Sequence, residues 1–156
     1  MMHICHIEID AGGLTAPTLE IEQERQVAIF DLLEENTFAL PHADARPGPY
    51  RVTLAIREKR LVFDVDTEEG ADATEFHLSL SPFRQTVKDY WQICEAYFDA
   101  VKKLPPSQIE AIDMARRGIH NEGARLLQER LEGKAGIDTD TARRLFTLIC
   151  VLHFGV

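Results

Sequence analysis

The sequence predicts an α+β fold: a small antiparallel sheet of about four strands, covered on one face by helices, with a buried C-terminal helix. Three observations predict it. Residues 50–80 alternate apolar and polar side chains with period two, the pattern of half-buried strands. Residues 82–101 and 108–132 instead repeat apolar residues at helical spacing. The closing stretch LFTLICVLHF is apolar nearly all round, as expected of a helix central in a core or pressed against a second subunit. With 156 residues, 45% of them apolar, the chain can bury one sizeable core, so a single domain over 1–156 is expected.

Each element has a local cause. HICHIEID alternates and reads as a strand with His3, Cys5, Ile7 and Ile9 on one face, and the Gly12-Gly13 turn follows. Thr18 caps a helix running to about Asn36, with Glu20 and Glu22 at its positive end. Ile21, Val27, Phe30 and Leu33 are the expected apolar face of that helix. PHADARPGP is a Pro/Gly loop too short to separate two cores.

YRVTLAIREKRLVFDVD is a hairpin turning at Glu58-Lys59. Val52, Leu54 and Ile56 match Leu61, Phe63 and Val65, and TEFHLSL adds Phe76, Leu78 and Leu80. This greasy face needs helices over it. Ser81-Pro82 opens the first, whose stripe runs Phe83, Val87, Tyr90, Trp91, Cys94, Tyr97, Phe98, Val101 and reads as core. Pro105-Pro106 end it, and Ser107 to Glu110 form a capping box for the next. The last helix opens at Asp138–Asp140.

Charge narrows the partners. The net charge is −9, which disfavours nonspecific binding to phosphate backbones or anionic lipid. Residues 1–101 carry 8 Lys and Arg against 19 Asp and Glu, whereas residues 102–156 carry 9 against 7. An acidic front half therefore meets a mildly basic back half. Cys5, Cys94 and Cys150 form neither a CxxC nor a zinc pattern, so reduced thiols in a cytoplasmic protein are expected. The N-terminus has no signal-peptide pattern, and the longest apolar run is shorter than the roughly 20 residues that span a bilayer. No membrane partner, cofactor or metal is expected.

MARRGIHNEGARLLQ (114–128) carries the densest polar chemistry. On a helix over 108–132, Ile109, Ile112, Ala115, Ile119, Leu126 and Leu127 define one face. Gly123 falls on that face, where its smallness admits a close helix. Gly118 falls opposite, so packing does not explain it, and the sequence leaves two readings. Either Gly118 ends a helix, with Asn121 capping a second, or a ligand or partner backbone approaches closely there. Arg116, Arg117, His120, Asn121 and Glu122 are the candidate ligand-binding residues: arginine suits a small anion and histidine acid–base work. Arg143 and Arg144 could extend the cluster. No nucleophile is paired with a base, so no reaction class follows and no catalytic residue is assigned.

Two weaker patterns compete. On the sheet, Arg51, Asp66 and Glu75 would form one polar row and Thr53, Asp64 and His77 the next, ordinary cross-strand pairing sooner than metal ligands. A helix-turn-helix around Gly118 would place NEGARLLQERLE in a DNA groove, but that segment has no basic footprint.

The stretches ERQVAIFDLLEEN, RLVFDV, HLSLSPFRQTVKDYWQICEAYFDA, PPSQIEAIDMARRGIHNEGARLLQERLEGK and DTDTARRLFTLICVLHF resemble a family of uncharacterised alphaproteobacterial proteins, UPF0262. The resemblance spans most of Glu24 to Phe154 and implies no activity, cofactor, partner or catalytic residue. The sequence thus leaves a cytosolic binding or regulatory module, self-associating through the apolar C-terminal helix. The alternative is a binding protein or enzyme for a small anion at the Arg/His/Asn/Glu cluster.

Overall fold

Alternation in residues 50–79 does produce the sheet. The computed structural model describes residues 2–10, 18–42 and 44–154. Strands β1 (Ile4–Asp10), β3 (Tyr50–Arg57), β4 (Arg60–Thr67) and β5 (Asp72–Ser79) form one sheet in the order β1-β3-β4-β5. The hairpin register is the one the apolar pattern demands, with Val52 opposite Val65, Leu54 opposite Phe63 and Ile56 opposite Leu61. Glu58 and Lys59 turn it at φ 52° and 62°, the left-handed pair of a tight hairpin turn, without the glycine or asparagine that usually eases it.

The sheet is mixed, where an antiparallel one was expected. β1 runs parallel to β3. Helix α1 (Leu19–Glu34) lies between them in the chain and returns it to the starting end, as a parallel neighbour requires. Period-two patterning reports which face a residue takes and carries no information on strand direction. β1 also contains a bulge: Ile4 pairs with Tyr50 and His6 with Arg51, leaving Cys5 extra. The buried residues of β1 are therefore Ile4 and Ile7, in place of an unbroken His3, Cys5, Ile7, Ile9 face. Asn36 locks the edge by accepting from the Ile4 N–H (2.6 Å) and donating to its carbonyl (2.9 Å). The Gly12-Gly13 turn lies outside the described residues.

Thr18 caps α1, accepting from the Ile21 N–H at 3.3 Å. Its buried face is Ile21, Ala28 and Leu32, whereas Val27, Phe30 and Leu33 are exposed. Apolar residues occupy much of this helix's circumference, so spacing alone did not fix its rotation. A two-residue strand β2 (Phe38–Ala39) then pairs with β6 (Gly136–Ile137), a contact too short to leave a periodic signal.

A 3₁₀ turn at Ser81–Phe83 leads into α2 (Arg84–Lys103). Phe83, Val87, Tyr90 and Cys94 are buried as the stripe predicts, but Val101 at its end is exposed. Helix α3 (Pro106–Arg130) starts with Pro106 in its first turn and Pro105 as cap, so Ser107 sits inside the helix and not at its cap. Helix α4 (Thr139–Phe154) begins where the Asp138 carboxylate accepts from the Thr141 N–H at 2.9 Å. From Leu145 to Leu152, every α4 side chain except that of Thr147 is an apolar one buried within this chain. Val52, Leu54, Phe63 and Val65 of the sheet share one core with Leu32, Val87, Tyr90, Leu127, Phe146 and Ile149. The alternate residues Arg51, Glu75 and His77 are exposed on the far face.

Candidate functional site

Helix α3 runs unbroken through Gly118. That glycine has no left-handed backbone, and a Cβ placed there would meet nothing within 4 Å. The expected helix end is therefore overturned, and no close neighbour within the chain explains the glycine. The helix instead closes at Leu131, and the left-handed glycine beyond it is Gly133 at φ 81°. Continuity also removes the turn of a helix-turn-helix, and with it that reading. Gly123 behaves as expected of a close contact. A Cβ there would overlap the Phe146 ring of α4.

With α3 and α4 in contact at Gly123, their preceding turns frame a cleft of about 370 Å3, with α1 as the opposite wall and Tyr90 of α2. α3 contributes Arg116, Arg117 and His120, and α4 contributes Asp140, Arg143, Arg144 and Thr147. α1 contributes Glu24, Val27, Ala28 and Asp31. Helical spacing explains the sets: Arg116 and His120 are four apart, as are Arg143 and Thr147, while Glu24 and Asp31 are two turns apart.

Three of the five candidate residues are thus brought together. Asn121 and Glu122 are not; both are exposed and neither lines the cleft, because one or two further residues rotate a side chain well round the helix. Arg143 and Arg144 join the site. Glu24, Asp31, Tyr90, Asp140 and Thr147 were missed. The seven-residue spacing of Glu24 and Asp31 marks a shared face, but of the apolar face expected for α1 only Ile21 is buried.

The guanidinium groups differ in how they are held. Asp113 accepts from Arg116 at 2.7 Å and from Arg117 at 2.8 Å. Arg116 also lies over the Tyr97 ring, 4.2 Å from its centre, a cation–π contact. Burial opposes its charge, but the hydrogen bond and attraction of Asp113 outweigh burial and keep it protonated. Arg144 reaches the Glu35 carbonyl at 3.4 Å. Arg143 has its terminal nitrogen 3.6 Å from Asp140, and its Nε is buried with no hydrogen-bond partner. A buried, charged N–H without an acceptor is costly.

His120 forms the floor. Its ring stacks on Tyr90, centres 5.3 Å apart, and lies 5.9 Å from Phe146. The Thr147 hydroxyl lies 2.8 Å from His120 Nε2, within hydrogen-bond distance, and 3.2 Å from the Arg143 carbonyl. Burial, with the nearby Arg143 and Arg116 charges, pushes the His120 pKa down to about 4, so the imidazole is neutral at pH 7. Across the cleft, burial pushes the Glu24 carboxyl above its ordinary range, partly offset by Arg116 and the Tyr90 hydroxyl.

The sheet rows shift by one pair at the third strand. Thr53, Asp64 and Glu75 form one row, and Arg51 and Asp66 meet Asp72 in the next. His77 falls opposite Val62, so the two aspartates and the histidine do not share a row. Among the described residues, no group of three or more His, Cys, Asp or Glu is placed to hold a metal ion.

The profile of the uncharacterised protein family UPF0262 matches residues 1–155. The chain belongs to the UPF0262 family. A UPF0262 protein of Jannaschia sp. (strain CCS1) is 89% identical over 155 residues, covering 99% of both chains. UPF0262 proteins of Roseobacter denitrificans and Cereibacter sphaeroides (strain ATCC 17025) are 75% and 73% identical over 158 aligned residues, covering 99% of this chain and 99% and 100% of theirs. No solved structure matches. The UPF0262 names carry no activity to set beside the cleft. No helix among the described residues is long and apolar enough to cross a membrane.

Proposed function

We propose that this UPF0262 protein is a small cytoplasmic binding module whose cleft captures a small molecule bearing an oxyanion, carboxylate or phosphate. The observation that carries this reading is the buried, unpartnered Arg143 Nε–H beside Arg116, Arg117 and Arg144. Planar guanidinium groups converging from two helices suit bidentate capture of an oxyanion. The cleft volume lies at the small end of the range for small-molecule sites. Binding is favoured over catalysis because the one imidazole present is committed to Thr147 and to ring stacking.

Self-association is a second reading, and its support has moved. From Leu145 to Leu152 the apolar surface of α4 is buried inside the chain, so the patch we assign to a second copy is Val27, Phe30 and Leu33 on α1. Native mass spectrometry of the purified protein tests both readings together. The expected spectrum shows a retained small acid, released by Arg143→Gln with Arg144→Gln. A wild-type spectrum without adducts, unchanged by added phosphate or carboxylates, overturns the binding reading. A strictly monomeric spectrum overturns self-association.

A further inference from the structure

We infer that the molecule held in this cleft carries an ammonium group as well as its oxyanion. The inference rests on the oxyanion reading above and specifies what else that ligand must bear. The two halves of the chain, acidic and mildly basic, meet at this cleft. Its α3 and α4 wall presents four arginines, and its α1 wall presents Glu24 and Asp31.

Each arginine held by an acid finds that acid on its own helix: Arg116 and Arg117 use Asp113, and Arg143 uses Asp140. Among the described residues, no ion pair joins α1 to α3 or α4. Glu24 and Asp31 therefore face the open cleft without a cationic partner in contact. A purely anionic guest would gain the arginines but be repelled by the two carboxylates on the facing wall. An ammonium on the same guest turns that repulsion into attraction and gives the carboxylates a hydrogen-bond donor. The volume admits one small molecule spanning the two walls, with its oxyanion on Arg143 and its ammonium toward Glu24. Burial disfavours the Glu24 charge more than Arg116 and the Tyr90 hydroxyl restore it, so a cationic partner would stabilise the carboxylate further.

Calorimetric titration of the full chain at low ionic strength tests this with matched probes. Phosphoethanolamine is compared with ethyl phosphate, and β-alanine with propionate; within each pair only the ammonium differs. In the pair carrying the right oxyanion, the ammonium compound should bind at least about tenfold more tightly. Glu24→Gln with Asp31→Asn should erase that preference and strengthen binding of the ammonium-free partner. Arg143→Gln should weaken both members alike. Should Glu24→Gln not fold, Asp31→Asn alone must still narrow the gap. If ethyl phosphate or propionate binds the wild type as tightly as its ammonium counterpart, the inference fails while the oxyanion reading survives. If none of the four binds, the oxyanion reading fails and takes this inference with it.

Discussion

The two halves of α3 carry a glycine each, and the two glycines mean opposite things. In the C-terminal half, Gly123 sits against the Phe146 ring, with Ala124 and Leu127 buried beside it. In the N-terminal half, Gly118 faces open space while Arg116, Arg117 and His120 frame the cleft and Asp113 holds both arginines. The first half is fixed by packing, and small size there is a requirement. The second is fixed by hydrogen bonds and ion pairs, and nothing in the structure accounts for its glycine. Close packing at Gly123 brings α4 near enough for Arg143 and Thr147 to meet residues of α3. The tight half of the helix thus positions the open half.

Three substitutions sharpen this contrast, and they differ in size. Gly123→Val should have the largest effect. Its branched side chain would overlap a fully buried ring, and overpacking of this kind costs about 3 kcal/mol. Melting should fall by roughly 6–12 °C, since each 1 kcal/mol moves a domain of this size by about 2–4 °C. A thermal melt within a degree of wild type would show that α3 and α4 are not in close contact.

His120→Gln comes next, read through pH. The native pKa of His120 lies below its unfolded value of 6.5, at about 4. The unfolded chain therefore binds the proton first as pH falls. Stability attached to this group is fully present above pH 6.5 and is lost as pH falls toward 4. The loss is about 2–3 kcal/mol by linkage, allowing for partial exposure. His153, also shifted down by burial and Arg84, contributes in the same direction, so the difference between wild type and variant is the quantity to read. Urea denaturation at pH 7.5, 5.5 and 4.5 should show the wild type losing more stability than the variant. Parallel losses would mean that His120 is solvated.

The smallest effect belongs to Gly118→Ala. Open space and helical backbone leave only the propensity term, a gain of about 1 kcal/mol and a rise of about 2–4 °C. A fall in melting temperature would indicate a neighbour at this position.

Legibility in the sequence followed the range of the forces involved. Hairpin register was readable because cross-strand partners sit on the same short stretch and one face is apolar. The caps at Thr18 and Asp138, the core stripe of α2 and the tight contact at Gly123 were readable for similar local reasons. Strand direction in β1 was not, because its partner β3 lies some forty residues away and periodicity is blind to direction. The cleft was half legible. Arg116, Arg117 and His120 share a helix and could be grouped by spacing, and Arg143 and Arg144 could be suspected. Glu24 and Asp31 needed the rotation of α1, which depends on how Ala28 and Leu32 pack and not on composition. Asn121 and Glu122 entered the candidate set through chain proximity, which a helix does not convert into spatial proximity.

The most direct test of the account is the environment of one N–H. In a 15N spectrum selective for arginine side chains, recorded near pH 6, the Arg143 Nε–H resonance should shift saturably as phosphate or the preferred carboxylate is added. Arg51, exposed on the far face of the sheet, should stay in place at the same ionic strength. A stationary Arg143 signal, or equal drift at both arginines, would contradict the claim that this cleft holds an oxyanion.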